Sequence, residues 1–130
     1  ASAQVLLASL DDSTQKKILS SITLTRFTEK TITSPKQLSS RLEQIRKEGF
    51  AVSRGELDEG TFAVAAPIPS GSGHVIASLS LGGPVHRFDQ DKEREYVDLV
   101  QEGARKIAEL LKQHSFGTYE RRTMSVCTRM

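Results

Sequence analysis

The run IRKEGFAVSRGELDEGTFAVAAPIPSGSGHVIASLSLGGP, residues 45–84, holds a helix stop, three strand-like segments and two turns within forty positions. Gly49 stops the helix, FAVSR (50–54) leads into an acidic turn of Glu56, Asp58, Glu59 and Gly60, and TFAVAAPI (61–68) follows. After the Gly/Ser turn SGSG (70–73) comes VIASLSL (75–81). Short β-branched and aromatic segments separated by turn residues predict an antiparallel sheet. Alternation sets Phe62, Val64 and Ala66 against Ala63 and Ala65, and Leu79 and Leu81 against Ser78 and Ser80. One face is apolar and bulky, the other small and polar. Pro67 and Pro69 are expected to limit the second strand, because proline cannot donate to a ladder.

The flanks read as helices. Ser34 is a strong helix cap, with Pro35 at the first helical position and Gln37 three residues after the cap. Leu38, Leu42 and Ile45 then form one stripe, leaving Lys36, Arg41, Glu43 and Lys47 toward water. Asp89 to His114 predicts a long amphipathic helix, with Tyr96, Val97, Val100, Ala104, Ile107, Ala108 and Leu111 on the side that covers the sheet. Ala3–Leu10 and a second segment opened by Asp11/Asp12 predict two short helices, and the Thr-rich stretch Thr23–Thr33 an extended connection. The fold class expected is α+β, an antiparallel sheet flanked by helices. Residues 1–114 would form one domain, opening inside a helix as part of a longer polypeptide does, and 115–130 a tail.

Composition narrows the function. At 130 residues, 37% apolar and 26% charged, the chain is long enough for one core without disulfides or a structural metal. No run approaches the ~20 apolar residues of a membrane span, no secretory signal opens the chain, and a lone Cys127 fits a reducing compartment, so a cytoplasmic location is expected. Residues 1–115 carry 15 Lys/Arg and 15 Asp/Glu, so the net charge of +2 resides in the tail. A neutral body argues against direct contact with nucleic acid.

Candidate chemistry is sparse. Cys127 lies in a polar tail without an activating neighbour, and His74, His86 and His114 have no zinc-ligand spacing. ELDEG lacks the alternating oxygens of a calcium loop, and GSG and LGG lack the helix start of a phosphate loop. Arg121 and Arg122 read as solvated. No enzyme activity, metal or cofactor is expected. Glu56 can be read as plain surface or as the rim of a pocket. Ser53, Ala63, Ser80 and Gly82 leave two readings open. Either they pack under a helix or face water, or they line a pocket whose hydroxyls and free backbone groups hold a small organic anion.

GFAVSRGE, AAP and SLSLGGP in that order, with ASAQVLLASL, TEKTITSPKQL and IAELL around them, resemble the effector-binding domain of the IclR family of bacterial transcription regulators over about residues 1–113. The resemblance implies a GAF/PAS-like sensor, incomplete here at its N-terminus, for a small carboxylic or aromatic acid. It also implies a homodimer or homotetramer that meets operator DNA only through a winged helix-turn-helix domain absent from this chain. By position it assigns the pocket to Ala1, Ser2, Ser53, Ala63, Ser80 and Gly82, with Glu56 near the rim. Ser53 and Ala63 stand where acid-binding relatives place Asp or Cys, and Ala-Ser opens the chain where Gly-Ala is common, which leaves fewer polar handles. The alternatives are an oligomerisation domain with a vestigial pocket and a small enzyme on the same fold.

Overall fold

The computed structural model describes residues 1–114. The tail expected over 115–130, with Cys127, Arg121 and Arg122, lies outside the described residues. In chain order come α1 (Ser2–Ala8), α2 (Asp12–Ser21), α3 (Pro35–Glu48), β1 (Ala51–Arg54), β2 (Thr61–Pro69), β3 (Val75–Pro84), a 3-10 turn (Val85–Arg87) and α4 (Gln90–Gln113). The sheet is antiparallel, in the order β1-β2-β3.

Local chemistry accounts for the element ends. The Ser34 hydroxyl accepts from the Gln37 amide at 3.4 Å, and Gly49 closes α3 in the left-handed conformation (φ 78) with its amide on Ile45 O. Asp11 and Asp89 cap α2 and α4 through the Thr14 and Lys92 amides, at 2.9 and 2.8 Å.

β2 runs through both prolines to Pro69. The reason is where their nitrogens point. Thr61 O accepts from Gly55 N at 2.8 Å, so the odd-numbered residues of β2 turn their backbone polar groups toward β1. β1 ends its pairing at Ala51–Ala65, and Pro67 and Pro69 fall beyond it, where no ladder bond is lost.

Two cores sandwich the sheet. Phe62, Val64, Ala66 and Ile68 pack against Val97, Val100, Ala104 and Ala108 of α4. Phe62, Phe88 and Tyr96 stack, with centroids 4.1 Å (Phe62–Phe88) and 5.6 Å (Phe62–Tyr96) apart. Arg54 lies 5.0 Å over the Phe88 ring and pairs with Glu93 of α4. On the opposite face Ala51 and Ala65 are buried with Val5 and Ala8 of α1 and Leu38, Leu42 and Ile45 of α3.

The Thr-rich connection does more than span a gap. Thr28 Oγ1 donates to Gly55 O at 2.5 Å and Thr31 Oγ1 to Glu56 O at 2.6 Å, while the amides of Phe27 and Thr28 both donate to Thr31 Oγ1. Two hydroxyls therefore fasten the β1–β2 turn, in which Gly55 has φ 69 and a Cβ would sit 3.2 Å from Glu59 Cα.

Candidate functional site

Cross-strand register assembles the small-residue face. Ser53, Ala63 and Gly82 form one row across the three strands, and Ala51, Ala65 and Ser80 the next. Alternation separates Ala63, Ala65 and Ser80 from their bulky neighbours along each strand, and the register sets them beside Ala51, Ser53 and Gly82 on one face. In the second row Ala51 and Ala65 are buried beneath α1, whereas in the first Ser53 and Ala63 are half-buried and Gly82 is exposed, as is Ser80. The helix thus covers part of the small face and leaves the Ser53–Ala63–Gly82 row partly open.

α1 sets the remaining candidates at one corner. Ala1 precedes its first turn and Ser2 begins it, both half-buried. Gln4, one turn along, donates its Nε2 to Glu56 Oε2 at 3.0 Å, while Gln4 Oε1 is buried without a hydrogen-bond partner.

Glu56 also lines a groove of about 500 Å³ along the outer edge of β1, walled by Arg41, Phe50, Val52 and Arg54. Ser53, Ala63, Ser80 and Gly82 are not part of that groove. At the other end of α1, Ala8, Ser9, Arg46, Pro67 and His74 border a second cavity of about 320 Å³.

Three polar side chains that hold this arrangement were not legible as such. Arg41, expected toward water, turns its guanidinium onto Val52 O at 2.5 Å. The unpaired edge carbonyl of β1 attracts it, and a helical stripe carries no sign of that. Arg46 of α3 donates Nε to Ala8 O at 2.9 Å, one terminal nitrogen to Asp12 Oδ1 at 3.0 Å and the other to Leu10 O at 3.0 Å, closing the end of α1 and the start of α2 onto α3. Gln4 meets Glu56 across 52 residues. Its place one residue before buried Val5 was the nearest available hint.

The candidate site has short side chains, three serine hydroxyls (Ser2, Ser53 and Ser80), a carboxylate at one corner and, at Gln4, an amide carbonyl without a hydrogen-bond partner. Among the described residues, no three His, Cys, Asp or Glu side chains come together as a metal would require, and no helix is long and apolar enough to cross a membrane.

The model of the bacterial transcriptional regulator IclR C-terminal domain matches residues 1–109. The HTH-type transcriptional regulator KdgR of Escherichia coli strain K12 is 37% identical over 113 residues, which is 87% of this chain and 43% of that protein. The chain thus spans under half the length of this curated relative. The crystal structure of the C-terminal domain of E. coli KdgR superposes with a TM-score of 0.80 at 38% identity, covering 85% of this chain and 68% of that one. The inducer-binding domain of the PobR transcription factor from Acinetobacter, a double mutant in complex with 3-hydroxybenzoic acid, gives 0.78 at 26% identity, over 84% of this chain and 63% of that one. These relatives are transcriptional regulators rather than enzymes. By a family pattern that runs from the first residue of α1's cap to the last turns of α4, the chain belongs to the IclR family of bacterial transcriptional regulators and carries their C-terminal domain.

Proposed function

We propose that this domain senses a small organic acid, which lies on the open Ser53–Ala63–Gly82 row between Ser80 and the α1 corner formed by Ala1, Ser2 and Glu56. The observation that carries the reading is that uncovered row of short side chains beside a seven-residue helix. A bulky face would have no room for a guest. The inducer-binding domain of PobR, of the same fold, holds an aromatic hydroxy acid, which supports the ligand class.

Charge orients the ligand. Glu56 repels a carboxylate, so the acid group points away from the α1 corner, toward Ser80, and the rest of the molecule faces Glu56 and Gln4. Binding then acts by population shift in a dimer or tetramer of the cytoplasmic full-length regulator, altering the fit of a winged helix-turn-helix outside this chain to operator DNA. A ~100-fold preference of the effector for one arrangement supplies about 2.7 kcal/mol per site.

Calorimetric titration with short keto, dicarboxylic and aromatic acids tests this. We expect at least one to bind more tightly than millimolar and Ser80→Leu to abolish that binding with the fold intact. If no acid binds, a second reading takes over, in which the domain serves oligomerisation and the pocket is vestigial. Burial of Ala51 and Ala65 under α1 favours that reading, since part of the small-residue pattern already serves helix packing.

A further inference from the structure

Gln4 Oε1 is the one buried side-chain oxygen or nitrogen among the described residues that has no hydrogen-bond partner. It is enclosed by described residues, not left on an exposed surface, and a buried acceptor without a partner is a standing cost to the folded chain. The amide is not free to turn over. Its Nε2 donates to Glu56 Oε2 at 3.0 Å, and a flipped amide would set two acceptors against each other. α1 packs on all three strands, and Glu56 follows Ser53 by three residues, so the amide lies where the small-residue face meets the β1–β2 turn. Glu56 is half-buried and enters no salt bridge among the described residues. Lys30, Arg41 and Arg54 share its groove, the two arginines being engaged on Val52 O and on Glu93. What Gln4 and Glu56 present together is acceptor oxygen.

We propose that Gln4 is a specificity-determining residue whose Oε1 accepts a hydrogen bond from the effector, so that the recognised acid carries a hydroxyl or ammonium group at the end remote from its carboxylate. This rests on the placement of the acid between Ser80 and the α1 corner given above, which brings the remote end to Gln4 and Glu56. The contact forms when the Gln4 side chain, held at one end by Glu56, swings its carbonyl onto the small-residue row. A donor there satisfies an acceptor that is unmade in the free protein, and so gains more than by exchanging one bond for another. An aldehyde oxygen is itself an acceptor and gains nothing, and a second carboxylate is also repelled by Glu56. A methyl group leaves the acceptor as it was.

Calorimetric titration of the 130-residue chain with butanoate, pentanoate and hexanoate, each with its far end as methyl, hydroxyl, ammonium, aldehyde or carboxylate, reads this specificity. The hydroxyl- or ammonium-ended form should bind at least about tenfold more tightly than the methyl-ended acid of the same length, whichever leads naming the donor. The aldehyde- and carboxylate-ended forms should bind no more tightly than the methyl-ended one. Gln4→Met, of similar length but without an amide, should shrink the hydroxyl advantage to less than about twofold. Glu56→Gln should admit the carboxylate-ended acid and keep the hydroxyl advantage, and circular dichroism should show both variants folded. Absence of a donor preference in the parent chain overturns the proposal without recourse to any variant. So does a Gln4→Met protein that binds methyl- and hydroxyl-ended acids with the parent's ratio, the mark of a merely structural role. If no acid binds, the effector reading falls together with this one, whereas acids that bind without regard to their far end overturn this one alone.

Discussion

The two faces of the sheet use the same three strands to opposite ends. Toward α4, every second residue of β2 from Phe62 to Ile68 is buried, an aromatic stack closes the N-terminal end of the helix, and a 24-residue helix lies along the whole. Toward α1, the side chains are Ala, Ser and Gly, the covering helix has seven residues, and one row remains open. So short a helix is not stable by itself. It is held by Val5 and Ala8 in the core and by the Arg46 guanidinium, which donates to Ala8 O at the helix end and to Leu10 O just beyond it. Stability is thus concentrated on one side of β2 and room on the other, with a backbone one strand thick between them.

That contrast can be broken in graded steps. Phe62→Ala removes a 4%-exposed ring from the stack and should cost about 3–5 kcal/mol in urea unfolding, the largest single effect expected. Arg46→Ala should cost about 1–2 kcal/mol, since the side chain is partly exposed, and should be selective: hydrogen exchange in α1 should rise while α4 keeps its protection. Equal loss in both helices would mean that the two faces are not separable. Gly55→Ala should cost about 1–2 kcal/mol, because an L side chain is forced into the left-handed region beside Glu59. Ser53→Ala, on the open row, should change stability by less than about 0.5 kcal/mol while altering acid binding. If Ser53→Ala destabilised as Phe62→Ala does, the small face would be a core after all. Glu56→Gln should tighten binding of a carboxylate by removing the repelling charge, which titration of the variant alongside the parent would measure.

The small face of the sheet has a covered part and a less covered part. Ala51 and Ala65 do pack under a helix. One row over, Ser53 and Ala63 are half-buried and Gly82 is exposed, because α1 covers that row less. Residue size alone does not distinguish the two rows. Only the position of α1 does.

Much of this molecule is set by interactions within a few residues. The Ser34 cap, Pro35, the left-handed Gly49, the period-two alternation of β2 and β3 and the apolar side of α4 are short-range effects, and each is readable where it occurs. Family membership follows from the same local order. Tertiary structure decided the rest: that Gln4 meets Glu56, that Thr28 and Thr31 fasten the β1–β2 turn, that Arg41 caps a strand edge, and that Arg46 holds α1 over half of the small face. Except for Arg41, 11 residues from Val52, these contacts join groups 25 to 52 positions apart. A polar side chain has no periodicity that names its partner. Which donor meets which acceptor depends on where folding leaves an unpaired carbonyl or carboxylate, and that is fixed only when the helices have packed on the sheet.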